Sequence, residues 1–503
     1  MSKGKRLTIL CGIVLLGSFL LLFQLSAKSL WVDELFSVEI SERSDVVSVV
    51  NDVIERERRP PLYHLALHFW ITPLGTSEFS FRSFSVIFGM LSLMLTFKMG
   101  CTLNGDRLGL LAAYFLAISP FSILYSRMIR YYSLTMFLGL LSCLFFIQLL
   151  PERKAVFWIG YLVASALLIY TDYSALSLLM SQNLFLVLRW RGYKALLPRW
   201  ILSQLSLLIL FAPWLTVVVT HATRGTLEAD FARGAFGYLI KLTYPFYSFS
   251  IGETLFPWQP LATIGLVVAL VPFVLGIAFF AKEREHLLLL IVLLLIPLTF
   301  TIFLLSYIAT DITFLNVPSR TMFAGPFFYL IVAGGLLWIK STRWRALLLL
   351  IITIACGYSL RNYYTNQQFH NPIYVIPAKE MAARVAMASQ PGDVIVSDWY
   401  SAFGYYYAKM DQGIPHFFSH SSEEARDYIE AHCSPRVWLI TIGRDRTRSM
   451  APVEFIRWLE EDYELRLTWG YAEQDEMYRR IKEMLLHRPA YKYKATVQLY
   501  TRR

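Results

Sequence analysis

The sequence is poor in charge and in cysteine. Of its 503 residues, only 17% are charged, whereas an ordinary soluble domain carries about a quarter. The five cysteines are scattered, and their spacing indicates neither a disulfide framework nor a metal site. Internal repeats and low-complexity segments are also missing. A typical soluble domain and a small disulfide-built fold are therefore excluded.

Apolar residues are abundant instead. They make up 56% of the chain, and the mean hydropathy is +0.48. Several apolar runs reach about 20 residues, the length of a helix that crosses a bilayer core. In hydrocarbon the backbone must satisfy its own hydrogen bonds, so such runs form helices. We predict eleven spans, near residues 7–27, 82–100, 109–126, 132–150, 156–171, 174–189, 198–220, 259–281, 286–308, 321–340 and 345–361.

These spans predict a polytopic α-helical membrane protein. Residues 236–256 could add a pair of half-spans, so we expect about 11–13 transmembrane helices. The net charge of +11 does not indicate a nucleic-acid partner, because the excess Lys and Arg lie beside apolar runs, where they orient helices. The positive-inside rule places the basic joints and the N-terminus in the cytoplasm. We therefore predict a multi-pass protein of the inner (plasma) membrane whose C-terminal tail lies outside the cytoplasm.

The predicted outer loop 28–81 carries two helices. Valines follow the 3.6-residue period from Val46 to Val53, which predicts an amphipathic helix at the membrane surface. Two prolines, Pro60 and Pro61, end this helix because proline lacks the amide hydrogen. Residues 62–70 then form a second, apolar helix.

The tail differs in kind from the rest of the chain. Apolar runs at 394–396, 437–440 and 496–500 predict strands, and 453–461 predicts a helix. Alternating strands and helices are typical of an α/β domain. We therefore divide the chain into a transmembrane domain, residues 1–362, and a soluble extracytoplasmic α/β domain, residues 363–503.

Two adjacent carboxylates, Asp33 and Glu34, follow the first span. Acids at the membrane surface are costly unless they are solvated, paired or used. A purely structural interpretation makes them an N-cap and a first-turn acid of the next helix. Taken alone, the two residues favour that structural interpretation.

The segment from Arg59 to His64, which includes Tyr63, is a second candidate. A guanidinium group binds phosphate oxygens in a bidentate manner, so Arg59 is a candidate phosphate ligand. A basic residue at a membrane boundary that touches lipid head groups is an equally good interpretation. His64 and His68 lie four residues apart on one helix face, which weakly indicates a divalent metal.

Three outer joints carry further polar side chains. Two arginines, Arg127 and Arg130, occur with Tyr132 in a tight joint against the positive-inside trend, which favours a phosphate partner. For the other two joints the simpler interpretation is structural: a solvated helix cap or a snorkelling anchor. These joints contain Asp172 with Tyr173, and Arg320.

As a set, these segments resemble the bacterial membrane glycosyltransferases related to the protein O-mannosyltransferases and to the aminoarabinose transferase of lipid A. That family has the GT-C architecture, and the likeness covers roughly residues 1–360. The family has an acidic motif in its first outer loop, a basic-Pro-Pro-Leu-Tyr motif and a Ser-Pro…Tyr-Ser-x-x-x-Arg-x-Tyr joint. The matching segments here are Asp33-Glu34, Arg59-Pro60-Pro61-Leu62-Tyr63, and Ser119-Pro120 with Tyr125-Ser126 and Arg130-x-Tyr132; two weaker matches are Thr171-x-Tyr173 and Pro318-Ser319-Arg320. The chain departs from the family at Met128, where an acid is common, and at Asp172, where a histidine is frequent.

The resemblance implies transfer of a sugar from a polyprenyl phosphate to an acceptor hydroxyl outside the cytoplasm, with inversion. It makes Asp33 the candidate base, with Glu34 second, and it makes a divalent metal a candidate cofactor. The acceptor would be a glycolipid, a polysaccharide or a protein. The implied substrate-binding residues are Arg59, Tyr63, His64, Arg127, Arg130, Tyr132, Asp172, Tyr173 and Arg320, of which Arg59, Arg130 and Arg320 would hold the phosphate.

Two other functions remain open at this point. A transporter or flippase for a lipid-linked sugar would use the same arginines without breaking a bond, but it predicts charges near the bilayer midplane. A membrane-anchored binding protein would place its function in the tail, where residues 398–400 follow a predicted strand at a position that often binds ligands. Product formation separates the enzyme from both.

Overall fold

The computed structural model describes most of the chain. The described residues are 2–57, 59–152, 154–222, 235–308, 316–398, 401–410, 413–419, 421–443, 453–471, 475–486 and 494–503. Residues 223–234, residues 309–315 and residues 399–400, of which the last pair follows a predicted strand, lie outside these ranges. The described residues form two compact units, residues 1–25 with 37–367, and residues 26–36 with 368–503.

The first unit is helical. A π-helical turn at Val53–Glu57 follows α3, and short 3-10 turns occur at Tyr173–Ala175 and Met322–Ala324. The helices are α1 Lys3–Leu22, α2 Val32–Ser41 (which begins in the second unit), α3 Val46–Asp52, α4 Leu62–Leu74, α5 Glu78–Asn104, α6 Asp106–Ile118, α7 Pro120–Ser126, α8 Tyr132–Glu152, α9 Ala155–Ile169, α10 Leu176–Leu188, α11 Trp190–Tyr193, α12 Leu197–Ala222, α13 Ala235–Ile251, α14 Pro260–Phe280, α15 Arg284–Ile308, α16 Asn316–Arg320, α17 Gly325–Trp338 and α18 Thr342–Tyr364.

The helix lengths agree with a polytopic membrane protein. Among the described residues, seven helices are long and apolar enough to cross a membrane, or eight if α6 and α7, bent by 64°, form one broken span. Three shorter apolar helices lie at 155–169, 173–188 and 322–338. Each of the eleven predicted spans coincides with one of these helices or with the bent pair. The region 235–251, predicted as an additional half-span, is helical as well.

The loop between α1 and α5 has the two predicted helices. The Asp45 carboxylate accepts hydrogen bonds from the backbone N–H groups of Val47 and Ser48, at 2.9 and 3.0 Å, and thereby caps α3. Val49 and Val53 are buried, as the period requires. The double proline then ends this segment, and α4 begins at Leu62.

The second unit contains a five-stranded mixed sheet of order β2-β1-β3-β5-β4, in which β1 runs parallel to β2 and β3 and the remaining pairs are antiparallel. The predicted strands and the predicted helix at 453–461 are confirmed. The strands β2 and β4 were missed, because β2 has only four residues and β4 is an exposed edge strand. The elements are β1 Val394–Asp398, β2 His416–Ser419, β3 Arg436–Gly443, β4 Tyr463–Tyr471 and β5 Lys494–Arg502, with α19 Ala378–Ala388, α20 Ser401–Ala408, α21 Ser422–His432, α22 Val453–Asp462 and α23 Glu476–Leu486.

The segment 26–36, which holds the acidic pair, belongs to this second unit. The Leu30 N–H donates a hydrogen bond to the Tyr406 hydroxyl at 2.9 Å, and the Lys379 N–H donates to the Ser29 hydroxyl at 3.0 Å. The Trp31 ring meets the Tyr374 ring edge-on, with 4.9 Å between the ring centroids. The sequence-based boundary at residue 362 assigns this segment to the first domain, whereas its packing associates it with the tail.

Candidate functional site

The acidic pair lies in the first turn of α2. The Glu34 carboxylate, which is buried, accepts a hydrogen bond from the backbone N–H of Trp31 at 3.3 Å. An acid at the third helical position that reaches back to the N-cap amide is half of a capping box. Glu34 therefore has the structural role that the sequence also allowed, and Asp33, at the preceding position, is only partly buried.

A buried ion cluster in the first unit is built around Arg59. Its Nη1 lies 3.0 Å from Asp172 Oδ1, and its Nε lies 3.7 Å from Glu57 Oε2. The guanidinium also stacks over the Tyr131 ring, 4.5 Å from the ring centroid. Asp172 is almost inaccessible to solvent, so Arg59 compensates a carboxylate that would otherwise be buried alone.

Arg130 forms the second half of the cluster. Its guanidinium donates to both Glu57 oxygens, with Nη1–Oε1 at 2.6 Å and Nη2–Oε2 at 3.3 Å, and Nη1 donates to the Ser37 hydroxyl at 3.1 Å. The guanidinium carbon lies 5.3 Å from the centroid of Tyr131. Glu57 and Tyr131 thus contact both arginines, which brings Arg59 and Arg130 to one place.

Local backbone features bring these segments together. Pro60 and Pro61 turn the chain between the π-helical turn and α4, and the next amide, Leu62 N–H, donates to the Tyr170 carbonyl at 3.1 Å. That bond joins the proline turn to the joint that contains Asp172. The Arg130 carbonyl in turn accepts from the Ser85 hydroxyl of α5, at 3.4 Å.

The cluster holds its charges in a defined state. Burial raises the pKa of Glu57, but the adjacent Arg130, with His64 and Arg59, outweighs burial and holds that pKa at about 2. Burial lowers the pKa of His64 to about 4 although Glu57 opposes the shift, so the imidazole is neutral at pH 7. Both ring nitrogens of His64 and the Tyr131 hydroxyl are buried without a hydrogen-bond partner among the described residues.

Other predicted site residues lie around the cluster or apart from it. Tyr63 is buried, with its hydroxyl 3.2 Å from the Ser85 hydroxyl, and Tyr132 packs on Tyr131 with ring centroids 4.7 Å apart. The Tyr173 hydroxyl accepts from the Trp214 indole N–H at 2.8 Å. These contacts give the three tyrosines packing roles, and their roles in substrate binding stay predictions.

The two remaining arginines differ in their surroundings. Arg320 is partly exposed, and its backbone carbonyl accepts from the Ser174 hydroxyl at 3.3 Å, next to Asp172. Arg127 is buried at the end of α7, where its Nη2 donates to the Phe23 carbonyl at 2.7 Å, and its guanidinium lies over two tyrosine rings of α18. Its contacts therefore link three helix ends, and its role as a substrate ligand stays a prediction.

The histidine pair does not form a metal site among the described residues. His68 Nδ1 lies 2.9 Å from the Ser41 carbonyl oxygen, whereas the His64 nitrogens have no hydrogen-bond partner. No group of three or more His, Cys, Asp or Glu side chains converges within the described residues. A divalent metal stays a prediction of the family resemblance.

Comparisons with known proteins show what this chain is similar to. Residues 58–216, which include Arg59, Arg130 and Asp172, match the dolichyl-phosphate-mannose-protein mannosyltransferase family. The apo structure of ArnT from Cupriavidus metallidurans aligns with this chain at a TM-score of 0.55 and 11% identity, over 99% of this chain and 98% of that one. The protein has the GT-C fold of membrane glycosyltransferases. None of the curated proteins compared with it matches its sequence significantly.

Two further solved structures share the fold of this protein. ArnT from Cupriavidus metallidurans bound to undecaprenyl phosphate aligns at a TM-score of 0.52 and 10% identity, over 99% of this chain and 98% of that chain. An Archaeoglobus fulgidus oligosaccharyltransferase in complex with Zn and sulfate aligns at a TM-score of 0.51 and 11% identity, over 86% and 67% of the two chains. At such identities the structures establish the fold, and Asp33 and Arg320 lie outside the family match.

Sequence reasoning missed three polar residues of the structure. Glu57 was overlooked because the pattern reading treated it as part of a charged surface helix, yet the π-helical turn directs it to Arg130. Tyr131, which the sequence analysis does not single out, contacts both arginines of the cluster. The third is Glu253, a lone acid after α13; an acid next to long apolar runs is the signal that could have found it.

Removing the Glu57 charge should destabilise the protein. In Glu57→Gln, the nearly inaccessible Arg130 loses its carboxylate, and we expect the free energy of unfolding to fall by about 3 kcal/mol. Thermal unfolding in detergent measures the effect. The control is Glu39→Gln, whose side chain is 37% exposed and pairs with Arg56; it should cost less than about 1 kcal/mol. Equal, small shifts in both variants would show that the buried pair does not stabilise the fold.

Glu253 lies between α13 and α14 and is buried. Its carboxylate accepts hydrogen bonds from the Tyr125 hydroxyl at 2.8 Å and from the Ser248 hydroxyl at 3.0 Å. Burial raises its pKa from 4.5 to about 7, and these two hydrogen bonds oppose the increase. Folding therefore favours the protonated form.

The raised pKa predicts a pH-dependent stability. Glu253 ionises near pH 4.5 in the unfolded chain and near pH 7 in the folded protein. The contribution of its protonated form to the free energy of unfolding is therefore full below pH 4.5 and is lost as pH rises through about 7. In Glu253→Gln, which is neutral and of similar size, the fall in melting temperature between pH 5 and 8 should be smaller than in the wild type. Parallel melting curves across this range would rule out titration of Glu253.

Proposed function

We propose that this protein is a glycosyltransferase that moves a sugar from a polyprenyl-phosphate donor to an acceptor hydroxyl on the extracytoplasmic side of the membrane, with inversion. The observation that carries the proposal is the buried cluster of Arg59, Arg130, His64 and Tyr131, inside the segment that matches the mannosyltransferase family. Guanidinium groups in a water-poor site stabilise a departing phosphate well. The ArnT structure with undecaprenyl phosphate supports a lipid-phosphate donor for this fold.

The reaction is a single displacement. The acceptor oxygen attacks the anomeric carbon, the bond from that carbon to the phosphate oxygen breaks, and the polyprenyl phosphate leaves with the electron pair. Arg59 and Arg130 stabilise the negative charge that develops on the leaving phosphate, so the phosphate needs no proton to leave. Asp33 is the proposed base that takes the acceptor proton.

The carboxylates of the cluster set the position of its cations. Asp172 and Glu57 hold the two guanidinium groups by 3.0 and 2.6 Å contacts. Such fixed cations do not have to reorganise when charge develops on the leaving phosphate. The unpaired His64 nitrogens and Tyr131 hydroxyl offer hydrogen bonds to the phosphate or to sugar hydroxyls, because a buried polar atom without a partner is costly.

The basic joints support the proposed orientation. With the N-terminus in the cytoplasm, the positive-inside rule leaves loop 28–81 and the joints of Arg130 and Asp172 on the outer side. The donor is then a lipid-linked sugar held along the apolar helices. The proposed acceptor is a glycolipid, a polysaccharide or a protein.

Release of the lipid product tests the proposal. The purified protein in mild detergent is mixed with candidate polyprenyl-phosphate sugars and acceptors, and polyprenyl phosphate is measured by mass spectrometry. We expect time-dependent release of polyprenyl phosphate and a glycosylated acceptor of inverted anomeric configuration. Tight binding of the lipid without release from any donor would instead favour a flippase.

A further inference from the structure

Three joints that are far apart in the sequence meet at a cavity of about 650 Å³ in the first unit. They are the α5–α6, α14–α15 and α17–α18 joints, all of which belong to the basic set that the positive-inside rule assigns to the cytoplasm. Their residues on the cavity wall include Asn104, Lys282 and Lys340. The sequence predicts basic joints there, but only the helix packing brings them to one cavity.

Close helix packing fixes the walls of this cavity. A Cβ atom at Gly276 of α14 would lie 1.9 Å from the Ile331 carbonyl oxygen, and one at Gly335 of α17 would lie 1.7 Å from the Pro272 carbonyl oxygen. These distances leave no room for a side chain, so α14 and α17 pack backbone to backbone, as small residues allow in membranes. The ends of the two helices therefore have defined positions.

The cavity lies where apolar helices end. Both α5 and α14 are long and apolar enough to cross a membrane, and their last turns supply Asn104 and Phe280 to the wall. Trp338, at the end of α17, is 37% exposed. Tryptophan at a helix end is typical of the boundary between hydrocarbon and head groups.

The lining is basic on one side and apolar on the other. Lys282 lies over the Trp338 ring, with Nζ 4.6 Å from the centroid, and Lys340 is exposed nearby. Phe280 and Leu337 provide apolar wall. The acid on the wall, Glu283, has Oε2 2.5 Å from His286 Nδ1.

We infer that this cavity binds the phosphate head group of an anionic phospholipid. The two ammonium groups neutralise phosphate, the Asn104 amide donates a hydrogen bond, and Phe280 and Leu337 contact the first methylenes of the acyl chains. A phospholipid with two phosphates, such as cardiolipin, matches the two lysines. The volume is in the range of ordinary ligand sites, about 300–1,000 Å³. This site is separate from the sugar-transfer cluster and does not depend on the proposed function.

Native mass spectrometry of the full-length protein in detergent tests the inference. The probes are tetraoleoyl cardiolipin, dioleoyl phosphatidylcholine and inorganic phosphate. The test variant is Lys282→Gln/Lys340→Gln. The control variant is Lys98→Gln/Lys194→Gln, which removes the same charge from two exposed lysines off this cavity wall; Lys194 also stacks on a tryptophan, Trp190, at 4.8 Å.

The wild type and the control variant should bind cardiolipin, and the test variant should bind it about tenfold more weakly or less. Lys282→Arg/Lys340→Arg should restore most of the binding, since the charge is kept. Equal cardiolipin binding in test and control variants would overturn the inference. If the wild type bound phosphatidylcholine as tightly as cardiolipin, the cavity would be an apolar groove without head-group selectivity. If equimolar inorganic phosphate displaced cardiolipin, the cavity would be a site for free anions.

Discussion

Asp33→Asn should lower the rate of polyprenyl phosphate release by about 10²–10⁴-fold, the usual contribution of a general base. Asparagine has nearly the same size and shape as aspartate, but it cannot take a proton from the acceptor hydroxyl. Donor binding should change little, because the base contacts the acceptor. Single-turnover release, measured by mass spectrometry, separates the chemical step from product dissociation.

Glu34→Gln is the matched control for this variant. Glu34 is adjacent in sequence, and its carboxylate accepts the Trp31 amide hydrogen bond at 3.3 Å. A glutamine oxygen can accept the same bond, so we expect a small change in both rate and stability. If Glu34→Gln lost activity and Asp33→Asn kept it, Glu34 would be the base. If both variants retained full activity, neither acid would be.

Arg59→Gln should lower the rate of release by about 10²–10³-fold, the effect of removing one donor to a developing anion. Asp172→Asn provides the sharpest comparison, since it breaks the same 3.0 Å ion pair from the other side but keeps the arginine and its charge. If Arg59 binds the leaving phosphate, Asp172→Asn should retain far more activity. Release rates of both variants, with their melting temperatures, check this.

Two outcomes would contradict a phosphate role for Arg59. Equal losses of activity in Arg59→Gln and Asp172→Asn would show that the ion pair only holds the fold. An equal loss in Arg56→Gln would indicate a general effect of charge in this loop, because Arg56 lies three residues away and pairs with Glu39 and Asp52 at the surface. Arg59→Lys should keep part of the activity, since it retains the charge but loses bidentate geometry.

The two proline-flanked helices of loop 28–81 show how far local patterns reach. Valine periodicity from Val46 to Val53 predicted a helix, and Pro60-Pro61 predicted its end, because backbone sterics act between neighbouring residues. The same pattern could not predict the π-helical turn that directs Glu57 to Arg130. The edge strand β4 was missed for a related reason, since its exposed residues alternate without a clear apolar face.

The sequence by itself determined the class of this protein: a polytopic helical membrane protein with an α/β tail and motifs typical of a GT-C glycosyltransferase. It could do so because burial in hydrocarbon and strand periodicity act on contiguous runs of residues. Only the tertiary structure decided which charges meet. Arg59 pairs with Asp172 across 113 residues and Arg130 with Glu57 across 73, and basic joints surround one cavity, because electrostatic energy depends on distance in space and not on separation along the chain.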